Sequence, residues 1–383
     1  MRRYGPPQPL FVGRIEALRG VAALLVAGFH IGQSRLPGGQ DLLYSPGPAE
    51  GAIAGVLRHA LVVLLNGHGA VALFFVISGF VLSLSLRRAA APAGVLAADF
   101  LVARLLRIYP AAIVSILAFE LLYAAAGHGL PGQGPGNFAP LNLVLNAAAV
   151  RLDVNGVMWT VQVELLAAPF ILLLFLRERR RGPLLVLAAA AALAVAAFDP
   201  RWPPPILRDL RPLACLEAFP IGMLVPTLGR ALAERLPARA ATALAGAAVL
   251  AVLAARPLLG IEGMVLAGLI ESIAGGLVVA LLAYGPGPRG FTLLDRPAAR
   301  LLGRVSYSFY LLHTLTLAFA WSMPETLTGL LAAGPPRAVV HLGLWAASVA
   351  VVLPAALLSW RFVELPGIRL GRMLRARLRP AAA

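Results

Sequence analysis

Hydrophobic residues in this chain fall into ten long apolar runs, at about 15–32, 69–86, 108–126, 157–176, 184–198, 213–229, 240–255, 263–283, 304–321 and 338–360. A span of a ~30 Å hydrocarbon layer takes about 20 apolar residues, and most of the runs reach or approach that length. The fifth and seventh are short and rich in alanine. A weaker stretch at 52–66, holding Arg58 and His59, reads as an interfacial helix rather than a further span. The pattern predicts an all-α polytopic membrane protein with about ten transmembrane helices.

Composition agrees. Of 383 residues, 60% are hydrophobic and 13% charged, more apolar sequence than a soluble domain of this length needs. All 33 basic residues are arginine, which with the abundance of Ala, Gly and Pro suggests a GC-rich bacterial genome. Numbered by alternate loops, 25 arginines fall on one side of the ten runs and 8 on the other. The positive-inside rule then puts both termini in the cytoplasm. The formal charge of +16 is thereby explained by membrane orientation, and a nucleic-acid partner is not expected. The single cysteine, Cys215, excludes an internal disulfide and a cysteine-rich metal site. The first run lacks a small-residue cleavage site and reads as a retained helix rather than a signal peptide. Residues 1–368 form one membrane domain, followed by a basic cytoplasmic tail at 369–383. The loops at about 33–68 and 127–156, with PGGQ, SPGP and PGQGPG, are suited to irregular coverings over a site. No internal repeat stands out, which weakens the case for a carrier made of two related halves.

Polar residues inside the runs are the candidate chemistry, because ionisable groups in a bilayer are costly unless paired or used. In IEALRGVAALLVAGFHI, Arg19 and His30 are eleven residues apart and share a helical face. On a ~1.5 Å rise per residue they lie roughly 16 Å apart along the axis. His30 is read as functional; for Arg19 a topological anchor is the simpler role. In FFVISGF, Ser78 and Gly79 permit close helix approach, and packing is the favoured role. In RLLRIYP, Arg104 and Arg107 share a face at i, i+3 and can grip phosphate or mark the cytoplasmic side. In WTVQVELL, Trp159 suits the interfacial belt and Glu164 lies ~10 Å inward of Val157, near the depth of His30. A carboxylate there is expected to pair with the imidazole. In RVSYSFYLLH, Ser306, Tyr310 and His313 share a face, as a packing seam or part of a site. Glu217 and Glu271 are lone carboxylates without an assigned purpose, and Arg361 and Glu364 are able to pair at i, i+3.

The order LRG…H, FFVISGF, RLLRIYP, WTVQVE, SYSFYLLH and FVE-x-P resembles the acyltransferase-3 family over nearly the whole chain. The resemblance implies a bacterial inner-membrane enzyme that moves an acyl group, usually acetyl from acetyl-CoA, to a hydroxyl. By position, His30 is similar to the family's essential histidine, Arg19 to the arginine preceding it, Arg104 and Arg107 to its cytoplasmic pair, and Glu164 to its W-x-x-x-x-E carboxylate. Tyr310 and His313 match a recurring motif of less defined role, and Thr160-Val161 replaces the more common Ser-Leu after the tryptophan.

The expected mechanism makes His30 the base that activates the acceptor hydroxyl, oriented by Glu164, with direct transfer rather than an acyl-enzyme. Arg104, Arg107 and Arg19 are the candidates for the CoA phosphates. Ser78, Trp159, Tyr310 and His313 are candidates for substrate contact or structure. Acyl-CoA is expected as donor co-substrate, with no permanently bound cofactor and no metal. The expected acceptor is a glycan, a lipid-linked sugar or a secondary metabolite. The rival expectation is a proton-coupled transporter using His30 and Glu164.

Overall fold

The computed structural model of the protein describes residues 9–34, 41–45, 51–89, 91–127, 129–130, 132–199, 215–287, 289–321 and 336–378. The PGGQ stretch, most of SPGP, Pro131 of PGQGPG, the start of the sixth apolar run and residues 379–383 of the tail lie outside them.

The described residues form helices joined by short turns, with no strand among them. In chain order these are α1 (Pro9–Gly32), α2 (Ala52–Leu64), α3 (Gly67–Arg88), α4 (Ala93–Ala126), α5 (Pro140–Ala147), α6 (Trp159–Arg181), α7 (Leu184–Ala197) and α8 (Ala218–Leu224). They continue with α9 (Arg230–Ala233), α10 (Ala238–Leu259), α11 (Met264–Tyr284), α12 (Pro297–Leu312), α13 (Leu315–Trp321), α14 (Arg337–Ser359) and α15 (Leu365–Leu378). Among the described residues, each apolar run contains helix.

Seven helical stretches among the described residues are long and apolar enough to cross a membrane. The helices of the other three runs are shorter, each for a local reason. The fifth is α7, only 14 residues long, held between Pro183 and Phe198. In the sixth, α8 passes through a π-helical turn at Val225–Gly229 that contains Pro226, a residue with no N–H to give the helix. The ninth stops at Leu312 and restarts at Leu315, so His313 sits in a helix break. The stretch at 52–66 is a helix of its own, α2, ending before Gly67.

The chain divides into two compact units. Unit 1 comprises residues 1–22, 68–96 and 166–306. Its helices cross closely at glycines. A Cβ on Gly20 would lie 2.5 Å from the backbone nitrogen of Gly303, and one on Gly303 would strike the Glu16 carbonyl. The glycine of FFVISGF behaves the same way: a Cβ on Gly79 would collide with the Phe219 carbonyl, and one on Gly222 with that of Val76. Small residues that let backbones meet are what holds helices together where lipid removes the hydrophobic drive. Phe75 stacks on Phe219 beside this crossing, with ring centroids 4.9 Å apart.

Unit 2 comprises residues 23–67, 97–165 and 307–383. Its core is the Ile108–Phe119 face of α4, packed with Phe138, Val154, Met158, Val161 and Leu311. Tyr123 stacks on Phe138 at 4.0 Å, which fastens the 132–158 loop to α4. The C-terminal part of α1 is held by His341, whose Nε2 donates to the Gly28 carbonyl at 2.8 Å.

Candidate active site

Four of the expected site residues meet as two pairs within unit 2. Arg104 and Glu164 form an ion pair of 2.7 Å, and His30 Nδ1 lies 2.9 Å from His313 Nε2. The carboxylate expected beside His30 is therefore taken by Arg104 instead. The physical preference is clear: a carboxylate 20% exposed gains more from a permanently charged guanidinium than from a neutral imidazole. His30 finds an imidazole partner from the ninth run.

The histidine pair has a proton inventory that hydrogen-bonding rules fix. His313 Nδ1 lies 2.6 Å from the Tyr310 carbonyl, and a carbonyl only accepts, so Nδ1 carries hydrogen. In the neutral ring Nε2 then holds the lone pair and accepts from His30 Nδ1–H. The His30 lone pair is left on Nε2. A directed chain results: His30 Nδ1–H to His313 Nε2, and His313 Nδ1–H to Tyr310 O. The rings are near-parallel, with centroids 5.1 Å apart and planes 20° apart. His313 is buried, whereas His30 is partly exposed, so His30 is the member that a reactant can reach.

The arginine pair is asymmetric. Arg104 is 8% exposed and is locked to Glu164, while Arg107 is 38% exposed and stands 3.9 Å from Glu364. Glu364 is the clearest residue that sequence reasoning misdirected. The i, i+3 spacing allows a pair with Arg361, but Arg361 is exposed while Glu364 is buried, accepts from Ser308 Oγ at 3.2 Å and faces Arg107. The cause is the π-helical turn at Trp360–Glu364, which rotates the carboxylate away from the position that i, i+3 spacing would give. Close packing of α15 supports the same geometry: a Cβ on Gly367 would lie 2.6 Å from Leu106 O, the carbonyl that Pro110 deprives of a helical donor. Tyr307 braces α4 from the other side by donating to Ile108 O at 3.0 Å.

Trp159 opens α6 and is half-buried; Tyr310 is buried and hydrogen-bonded to Thr160, whose hydroxyl also donates to Val157 O at 3.0 Å. The hydroxyl retained at position 160 thus has a structural use. Ser306, Ser78 and Arg19 belong to unit 1, where the serines are buried and Arg19 is half-buried. Glu217 and Glu271 are also there, Glu217 accepting from Ser272 at 3.1 Å and Glu271 facing Arg256 at 3.5 Å.

Asn155 was missed altogether. It is fully buried, donates from Nδ2 to Leu311 O at 2.9 Å and accepts from Thr314 at 3.1 Å. The only signal for it in the sequence was a polar residue four positions before Trp159. No group of three or more His, Cys, Asp or Glu side chains among the described residues is placed to hold a metal.

Against known proteins, the sequence profile of the acyltransferase-3 family, described as an acyltransferase domain, matches residues 12–362. No curated protein and no solved structure matched the chain.

Proposed function

The chain belongs to the acyltransferase-3 family, and from that premise we propose that it is a membrane O-acyltransferase with His30 as the catalytic base. The observation that carries the assignment is the histidine chain, which leaves a lone pair on Nε2 of the partly exposed imidazole. The donor is acyl-CoA, most simply acetyl-CoA, and the acceptor is a hydroxyl of a glycan, a lipid-linked sugar or a glycosylated metabolite. Membership in an acyltransferase family favours this reading over a proton-coupled carrier.

An alcohol is a weak nucleophile at neutral pH, and a base at its proton contributes about 10²–10⁴-fold to rate. In the proposed step His30 Nε2 removes the hydroxyl proton as the oxygen attacks the thioester carbonyl. The new C–O bond forms, the C–S bond breaks, and the CoA thiolate takes the proton back from His30. His313 acts as the orienter: accepting from His30 Nδ1–H, it fixes the ring and stabilises the imidazolium while the proton is held. It does so without a charge, in the place where a carboxylate orients the histidine of a hydrolase triad.

Arg107 is the better candidate for a CoA phosphate, because it is the more exposed arginine and its 3.9 Å contact with Glu364 is loose. Arg104 is assigned to holding Glu164. Ten spans, cytoplasmic termini and a bacterial inner-membrane location complete the proposal, supported by the 25 to 8 arginine split. The identity of the acceptor is tested by mass spectrometry of envelope glycans and metabolites from a deletion strain. The expected result is loss of an acyl mass from a hydroxyl-bearing compound; unchanged acylation of both pools would refute the reading.

A further inference from the structure

The break between α12 and α13 falls in SFYLLHTLTL, which contains neither glycine nor proline, so its own sequence does not dictate it. An unbroken helix would give the carbonyls of Tyr310 and Leu311 to the backbone N–H groups of residues 314 and 315. Here side chains take both. His313 Nδ1 donates to Tyr310 O at 2.6 Å, and Asn155 Nδ2 donates to Leu311 O at 2.9 Å. Asn155 Oδ1 accepts from the Thr314 hydroxyl at 3.1 Å, so one buried amide holds both lips of the break.

Asn155 is itself delivered by a constructed loop. Gln133 Nε2 donates to the carbonyls of Asp153 (2.6 Å) and Val154 (2.8 Å), and Val154 N–H donates to Asn146 Oδ1 at 3.0 Å. Asn146 Nδ2 in turn donates to the Asp153 carboxylate at 2.6 Å. The loop thus buries an amide that is bonded through both its nitrogen and its oxygen against the helix break.

We propose that Asn155 is a positioning residue that sets the proton inventory of the histidine pair. By supplying Leu311 O with a donor it removes the drive to close the helix, since a buried carbonyl left without a donor is costly. An open helix keeps Tyr310 O available to His313 Nδ1–H. That bond fixes the His313 tautomer, and the tautomer orients His30 with its lone pair on Nε2. The consequence for catalysis rests on the acyl-transfer reading above; the tautomer itself does not.

The test uses the full-length protein, labelled with ¹⁵N-histidine and purified in detergent, with His30→Gln and His313→Gln to assign the imidazole signals. In the parent protein both rings should be neutral with hydrogen on Nδ1. Asn155→Asp keeps the shape but loses the donor, so His313 should lose that signature. Release of free CoA thiol from acetyl-CoA in isolated membranes should fall roughly 10–100-fold, by analogy with loss of the outer-shell partner of a metal-bound imidazole. The KM for acetyl-CoA should hold. Thr314→Ser keeps the hydroxyl and should match the parent, while Thr314→Val should shift the spectrum in the same direction as Asn155→Asp and serves if that variant does not fold. Retention of the Nδ1–H signature on both rings in the folded variant overturns the proposal, whatever the turnover. If the spectra behave as expected but His30→Gln still releases CoA at the parent rate, the acyl-transfer reading fails and the tautomer device stands.

Discussion

The two compact units treat buried charge differently. In unit 1, Glu217 meets the Ser272 hydroxyl and Glu271 meets Arg256, so both carboxylates face groups that quiet them. In unit 2, Glu164 is quieted by Arg104 in the same way, but the unit also holds a chain of hydrogen bonds that includes a partly exposed imidazole. An ionisable residue in a membrane helix is a functional candidate by default. On the proposed reading the contrast gives a finer criterion: the useful group is the imidazole within reach of a reactant, and the paired carboxylates serve structure.

The sharpest way to break this contrast is to cut each network once. His313→Ala removes the acceptor of His30 Nδ1–H, and turnover of acetyl-CoA in isolated membranes should fall by about 10²–10⁴-fold. Glu271→Gln in unit 1 should leave that turnover at the parent level while lowering the thermal midpoint in detergent. Breaking one side of a buried pair costs about 3 kcal/mol. Equal losses of turnover in the two variants would erase the distinction between the units.

A second comparison separates the two arginines. Arg107→Ala should weaken acetyl-CoA binding by roughly 10–100-fold, the worth of one charge-assisted contact of about 1.5–3 kcal/mol, with little change in thermal midpoint. Arg104→Ala strands Glu164 and should show the reverse, a lower midpoint with a smaller change in affinity. Calorimetric titration and thermal unfolding on the same samples decide between them.

The smallest effect concerns the loop that carries Asn155. Burial pushes the Asp153 carboxyl up, but hydrogen bonds from Asn146, Asn142 and Asn137 outweigh it and leave the group below its ordinary value. A depressed carboxylate lends stability that is present above its unfolded value of about 3.9 and is lost as pH falls through the lower folded value. Acidification from about pH 5 to pH 3 should therefore lower the midpoint of the parent protein more than that of Asp153→Asn. Parallel acid curves for the two would remove Asp153 from the loop's stability.

Much of the fold was legible because it depends on local composition. Among the described residues each apolar run contains helix, and FFVISGF is recognisable as a close crossing from Ser78-Gly79 alone. What was not legible came from contacts distant in the chain. The break at His313 depends on Asn155, 156 residues away from the carbonyl it satisfies, and nothing in SFYLLHTLTL announces it. Depth places Glu164 near His30 in the sequence, but depth cannot choose between an imidazole and a guanidinium; the charge on Arg104 does. Glu364 was visible as a residue and misassigned in direction, because a π-helical turn changes the angle that α-helical spacing presumes.

The central claim is that His30 is the base for acyl transfer and has no part in holding the donor. The direct measurement is transfer of label from [¹⁴C]acetyl-CoA to hydroxyl-bearing material in isolated membranes, with acetyl-CoA binding measured on the same preparations, for the parent protein and His30→Ala. Loss of transfer with binding retained is the predicted result. Transfer by His30→Ala at the parent rate would contradict it.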